Sequence, residues 1–267
     1  MPLAVCATPI GNLEDVTLRV LRELREADLV LCEDTRRTRV LLERHGITAS
    51  LTSYHEHNEA ERTAEVLPRL QAGARVALVT DAGLPAISDP GARLVAAALA
   101  AGVAVTVLPG ASAVETALVA SGFAAERYQF LGYLPRGGAA LDALWEELAR
   151  WPWAVVAFES PRRLPATLRS LAAALPDRAV AVCRELTKQF EEVVRGPALE
   201  VAGRFSDPPK GEITIVVAGG EPAPPDLAEA SRAVADLVAA GCGRRTAAEV
   251  VARLTGVARN RLYRGSL

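Results

Sequence analysis

A chain of 267 residues with a formal net charge of −2 has room for one large domain or two ordinary ones with real cores. Half of its residues are apolar and 23% are charged, as in soluble globular proteins, and 4% aromatic content argues against a surface built to stack many bases. The longest apolar run, 94–108, is broken by Gly102 and too short for a membrane span, and the first five residues lack the basic start of a signal peptide.

Through residue 120 the pattern alternates. Apolar, β-branched runs at 3–7, 29–33, 51–54, 76–80 and 103–108 predict strands, and helical periodicity fills 18–27, 38–44, 60–71, 91–101 and 113–120. Gly46, Gly73 and Gly102 stand where helices end and a left-handed cap is wanted. Such interleaving implies βαβ units and a mostly parallel sheet. After a connector at 121–127, a second block offers strands at 128–133, 154–158 and 179–186 and helices at 141–150 and 165–175. Runs at 191–195 and 213–218 read as hairpin-like arms separated by irregular Gly/Pro-rich chain, so this second sheet is expected to be mixed. The segment EPAPPD at 221–226 is a proline-rich linker, and 227–240, 245–254 and 259–263 read as three short helices spaced like a helix-turn-helix. The expected organisation is an α/β domain at 1–120, a second at 121–220 and a small basic helical domain at 227–267.

Three loops follow strand ends in the first block: ATPIGN after the first, DAGLPAISDPG after the fourth and LPGAS after the fifth. Open α/β sheets bind ligands there, at the carboxyl ends of strands, and the three loops are expected to converge on one small molecule. Neither G-x-G-x-x-G nor G-x-x-x-x-G-K-[ST] occurs, so the ligand is not gripped by either glycine signature. Asp81 can accept hydrogen bonds from a ligand amine or hydroxyl, Gly83 allows close backbone approach, and Leu84–Pro85 offers an apolar wall.

At 33–39 two acids, Glu33 and Asp34, are followed at once by Arg36, Arg37 and Arg39 in a first helical turn. Cations oppose the helix dipole there. Contacts to nucleic-acid phosphates and pairing with Glu33 or Asp34 stand level as the reason. In YHEHNE, His55 and His57 lack a third ligand at suitable spacing, so no metal is expected, and His55 is read as a substrate hydrogen-bonder or part of a polar loop cluster. Cys6, Cys32, Cys183 and Cys242 form no C-x-x-C pair and read as small buried hydrophobes in a reducing, cytoplasmic setting.

Cation usage is uneven. Residues 241–267 hold six Arg, among them Arg244 and Arg245, against the single acid Glu249, a pattern suited to a polyanion or to a solvated helical surface. The chain has 28 Arg but only two Lys, Lys188 and Lys210, and a compact ammonium can do what a guanidinium cannot. FESPRR, RELTKQFEE and PPKGEI lie at or beyond strand ends of the second block, and they offer Glu159, Lys188, Glu191, Glu192 and Lys210 to one cleft.

ATPIGNLEDVTLR, CEDTRRTRVLL, YHEHNE, TDAGLPAISDPG, VLPGASA, FESPRR and ELTKQFEE occur in this order, and together they resemble the ribosomal small-subunit methyltransferase I family of the tetrapyrrole-methylase superfamily over essentially the whole chain. The chain departs from that family at Leu84, where Thr is usual after D-A-G, and at Arg162, where His is common. The resemblance implies an α/β fold of two domains with the cofactor cleft between them. It implies an S-adenosylmethionine-dependent enzyme, a homodimer, that methylates the ribose 2′-hydroxyl of a cytidine in 16S ribosomal RNA, free or in the 30S subunit. It also implies cofactor contacts at Ile10, Asp81, Gly83, Leu84, Ser112 and Ala113, with the second domain contributing near Cys183 and Gly211. A ribose hydroxyl is a poor nucleophile and needs a proton acceptor or a neighbouring cation. Lys188, oriented by Glu159 or Asp34, is expected in that role, with Lys210 undecided between chemistry and phosphate binding. Arg36, Arg37, His55, Arg244 and Arg245 complete the expected substrate contacts. The rival readings are C-methylation of a tetrapyrrole and a ribosome-assembly factor without turnover.

Overall fold

The computed structural model describes residues 2–124, 126–220 and 227–265, so the EPAPPD segment lies outside the described residues. The chain divides into two compact units, Met1–Gly220 and Glu221–Leu267.

The first unit opens with β1 (Leu3–Cys6), α1 (Leu18–Glu26), β2 (Leu29–Cys32), α2 (Thr35–Arg44), β3 (Leu51–Ser53), α3 (Glu59–Gln71), β4 (Val76–Leu78), α4 (Ala92–Ala100), β5 (Val105–Leu108) and α5 (Ala113–Ser121). Its strands form one parallel sheet in the order β3-β2-β4-β1-β5. The uninterrupted apolar runs are explained by burial on both faces. Leu3, Val5, Leu29, Leu31, Val76 and Leu78 pack with residues of α3 and α4, whereas Ala4, Cys6, Val30, Cys32 and Ala77 face α1 and α2. Side-chain alternation along each strand thus builds both halves of the core. The helices start on side-chain caps: Thr17 Oγ1 accepts from Val20 N at 3.2 Å, and Asp34 Oδ1 accepts from Arg36 N at 2.8 Å. Gly46, Gly73 and Gly102 all have positive φ, as expected of their positions past helix ends.

Next come β6 (Tyr128–Tyr133), α6 (Gly138–Ala149), β7 (Ala154–Glu159), α7 (Leu164–Ala174), β8 (Ala179–Arg184), β9 (Glu192–Pro197), α8 (Ala198–Arg204) and β10 (Ile213–Val217). These strands make a mixed sheet, ordered β6-β7-β10-β8-β9, in which β6 and β7 are parallel and the other pairs antiparallel. The mixed sheet agrees with the sequence pattern. The two late runs, however, do not pair with each other as hairpin arms. β10 inserts between β7 and β8, buried at every residue, and β9 takes the edge beside β8. The chain between them is also not irregular, because Ala198–Arg204 forms a helix whose Ala198 and Val201 are buried. One face of this sheet packs on α6, α7 and α8 around Trp145, Leu168 and Val201. The other receives α5, through Val114, Ala117 and Leu118, together with Ile10 and Leu186. Thus α5 follows the last strand of the first sheet but packs on the second, and the carboxyl-end loops of the first sheet face the second.

The second unit holds α9 (Leu227–Ala239), α10 (Arg244–Thr255) and α11 (Arg259–Gly265), closed around Ala230, Val234, Ala247, Val251, Val257 and Leu262. Gly256, in the left-handed conformation, caps α10. No helix among the described residues is long and apolar enough to cross a membrane.

Candidate active site

β2 and β4 are neighbours whose onward connections run to opposite edges of the first sheet, toward β3 and β5. The crevice at such a divergence is the usual ligand position of an open α/β sheet. It opens here into a cavity of about 570 Å³, within the about 300–1,000 Å³ typical of small-molecule sites. The first sheet supplies Ile10, Glu33, Asp81–Leu84, Asp89 and Ser112–Ala113, and the second supplies Tyr133, Phe158, Cys183, Leu186 and Gly211. All eight residues expected as cofactor contacts line this one space: Ile10, Asp81, Gly83, Leu84, Ser112, Ala113, Cys183 and Gly211.

The floor is held by backbone pairing between strand-end loops. Thr8 N donates to Gly83 O at 2.8 Å, Gly83 N returns a bond to Thr8 O at 3.1 Å, and Thr8 Oγ1 donates to Thr80 O at 2.9 Å. Gly83 has φ +80, which suits glycine at this turn. Downstream, Ala86 and Ser88 hold φ of 70 and 60 without that freedom, a strain of the kind stored at functional sites.

One wall is anionic. Glu33 Oε2 accepts from Thr80 Oγ1 at 2.9 Å, and Asp81 Oδ1 accepts from Asp34 N at 3.0 Å. Arg37 approaches Asp81 at 3.4 Å and is the cation lining this cavity among the described residues. Burial, with Glu33 nearby and a bond from Thr80 working against it, pushes the Asp89 carboxyl up to about 6. Burial also raises Asp81, against the hydrogen bond from Asp34 and the charge of Arg37. Five acidic residues line this half-buried space, Glu33, Asp81, Asp89, Glu159 and Glu212, and their excess disfavours an anion and suits a ligand with positive charge.

Lys188 sits beside this cavity, on the rim of a smaller one of about 350 Å³. Its Nζ donates to Glu185 Oε1 at 2.8 Å and to Glu212 Oε2 at 3.0 Å. Burial pulls the ammonium pKa down, but the bonds to Glu185 and Glu212 outweigh it and the net shift is upward. The side chain is therefore a fixed cation at neutral pH. Gly11 makes the arrangement possible: a Cβ there would lie 2.5 Å from Lys188 Cγ and 2.6 Å from Leu186 O.

This replaces the partners expected for Lys188. Glu159 is fully buried and committed elsewhere, accepting from Arg163 Nε at 2.7 Å, Thr167 Oγ1 at 2.6 Å and Ser160 N at 2.6 Å. Asp34 caps α2 and binds Arg36, whose guanidinium first among the causes holds the carboxyl down at about 2. Neither carboxylate bonds Lys188. Glu185 and Glu212 do, and both lie within the motifs RELTKQFEE and PPKGEI.

The remaining expected residues divide. Arg37 lines both cavities, while Arg36 turns back onto Asp34. His55 lines neither; its Nε2 meets Asn58 Nδ2 at 3.3 Å in a loop cluster between β3 and α3. Lys210 is exposed beside Gly211, and its carbonyl accepts from Arg184. Arg244 and Arg245 lie on α10 of the second unit, Arg244 over the Tyr263 ring and Arg245 3.5 Å from Glu249. Glu33 and Asp89 stand in the strand-end motifs, yet nothing in those motifs separates them from ordinary loop acids. Tyr133 gives no signal beyond closing a predicted strand.

The fold is that of the tetrapyrrole (corrin/porphyrin) methylases, whose family model matches residues 2–202. A solved cobalt precorrin-4 methyltransferase shares that architecture, with a TM-score of 0.58 at 22% identity over 81% of this chain and 94% of the other. Among known sequences, the ribosomal RNA small subunit methyltransferase I of Mesorhizobium japonicum is 44% identical over 98% of this chain and 90% of its own length. The protein of the same name from Thermotoga maritima is 46% identical over 82% and 99%. The chain belongs to the ribosomal RNA small subunit methyltransferase I family.

Proposed function

We propose that the protein transfers a methyl group from S-adenosylmethionine to the ribose 2′-hydroxyl of a cytidine in 16S ribosomal RNA, acting in the cytoplasm as a homodimer. The observation that carries this reading is the anionic cavity at the β2/β4 divergence, joined to the relatives' shared name. When bound, the cofactor supplies an electrophilic methyl on a sulfonium. Glu33, Asp81 and Asp89 favour that positive charge, Gly83 admits close approach, and Ile10, Leu84, Phe158 and Leu186 exclude water from the apolar walls. The chain's remaining tasks are alignment, worth roughly 7–11 kcal/mol in ideal intramolecular cases, and help to a weakly acidic hydroxyl. Lys188, held as an ammonium by Glu185 and Glu212, stabilises negative charge developing on the acceptor oxygen as the hydroxyl proton is released to solvent.

Radiolabelled S-adenosylmethionine offered with unmodified 30S particles and naked 16S RNA tests the reading. Alkali-resistant label at a cytidine is the expected product. Tight cofactor binding without transfer to either RNA would refute it.

Asp89 gives the site a pH dependence. Its folded pKa of about 6 lies above the ordinary carboxylate value of 3.8, so its contribution to stability is full below about pH 4 and is lost as pH rises through about 6. Asp89→Asn is therefore expected to raise the melting temperature more at pH 8 than at pH 5. Cofactor affinity should strengthen in the parent as pH rises through 6, and the variant should flatten that rise in a calorimetric titration. Parallel pH profiles for parent and variant would contradict both statements.

The second unit is assigned the RNA backbone. Arg244→Glu with Arg245→Glu should weaken 30S binding and flatten its salt dependence, by roughly 0.7–0.9 of a log–log unit for each phosphate no longer neutralised. An unchanged slope across a salt series would remove that role.

A further inference from the structure

The geometry points to the smaller cavity as the subsite for the acceptor, a single ribonucleotide drawn out of the RNA with its ribose toward the wall that the two cavities share. The inference rests on the function proposed above and locates its second substrate.

Ile10, Arg37, Asp81, Ala82 and Glu212 line both spaces. Methyl transfer requires donor and acceptor atoms in line and nearly touching, and a shared wall provides that meeting point. The smaller volume, about 350 Å³, stands at the low end of about 300–1,000 Å³ for small-ligand sites. That is room for one nucleotide.

The lining chemistry differs between the two spaces as donor and acceptor require. Glu33 and Asp89 face the larger cavity only and Lys188 the smaller only, whereas Arg37, Asp81 and Glu212 belong to both. Arg37 is 64% exposed and holds Asp81 at 3.4 Å, so it can turn to a phosphate without breaking a close bond. Leu13, Val40 and Leu41 provide an apolar surface for a base ring, and Val40 is 55% exposed.

The Lys188 side of the pocket is rigid at a cost. Glu185 and Thr187 hold φ of 52 and 65, the left-handed region that favours glycine, on either side of Leu186. The strain places Lys188 over the smaller cavity with both carboxylates attached, which is preorganisation rather than a solvated loop.

Val40→Trp tests the subsite, because Val40 lines the smaller cavity alone and its exposure lets the fold tolerate the larger ring. With 30S particles as acceptor, methyl transfer is expected to fall about tenfold or more through KM while the S-adenosylmethionine Kd stays at the parent value. Transfer equal to the parent, or loss of cofactor binding, overturns the subsite. A second measurement does not depend on that variant's folding. Photocrosslinking of 5-iodocytidine-substituted 16S RNA to the unaltered protein should map to Thr38, Val40, Leu41 or Lys188, which line the smaller cavity and not the larger. Crosslinks confined to residues 87–89 at the larger cavity overturn the assignment. Failure of the parent to methylate either RNA is seen before any variant is made, and it refutes the proposed function rather than the pocket alone.

Discussion

Lys188→Met is expected to lower methyl transfer by about 10²–10⁴-fold while leaving S-adenosylmethionine affinity unchanged. Lys188 lines the smaller cavity and not the larger, so its own side chain is no part of the cofactor walls. The upward shift of its pKa sets the kind of help it gives. A proton acceptor needs a neutral amine near neutral pH, and the two carboxylates hold this group charged. Lys188→Arg separates the remaining readings. A guanidinium keeps charge but not the compact fit against Gly11, so phosphate binding would survive the change and transition-state stabilisation would not. Single-turnover transfer at saturating RNA, with cofactor affinity measured calorimetrically, reads both. Wild-type turnover in Lys188→Met would remove the residue from the mechanism.

Arg163→Met should cost stability instead of chemistry. It strands the Glu159 carboxylate, whose side chain is completely buried, with Thr167 and the Ser160 amide as its remaining partners. Breaking a buried pair from one side typically costs about 3–5 kcal/mol. Denaturant unfolding of Arg163→Met should show a loss of that size, with part of it recovered in the double variant Arg163→Met, Glu159→Gln. Folded Glu159→Gln should keep its transfer rate. A large rate loss in folded Glu159→Gln without loss of stability would return Glu159 to the chemistry.

Lys188 and Glu159 also mark where sequence reading stops. FESPRR and RELTKQFEE both follow strand ends, which puts the two residues near one cleft but fixes position only. The partner of a side chain depends on local backbone conformation. Glu185 reaches Lys188 from three residues away because its own backbone is left-handed, which no propensity for glutamate announces. Glu212 arrives from the start of β10, 24 residues later, through an insertion between β7 and β8 that periodicity along the chain does not encode. Arg36 and Arg37 stand level in the sequence between acid pairing and phosphate contact. Asp34 captures Arg36 by a two-residue turn, whereas Arg37 is left across the crevice from Asp81. What is legible follows from burial. The strands of the first sheet are apolar in long runs because both faces are covered, and the loops beyond them carry the polar groups. The helix Ala198–Arg204 leaves little trace in the sequence because it is seven residues long and directly follows Pro197 in Gly/Pro-rich chain.

The strand order of the first sheet also sets a schedule for synthesis. β1 lies between β4 and β5, so once it leaves the ribosome it has no partner in its sheet until the chain reaches Val76. At about 5–20 residues per second that wait is roughly 4–14 s. Throughout it the four apolar residues Leu3–Cys6, all buried in the finished protein, are exposed in the nascent chain. Nascent chains halted before β4 should therefore be bound by holdase chaperones and cut readily by protease, and those extended past β5 should become resistant. The polypeptide must be shielded by the translation machinery of its host for longer than most of its helices take to form.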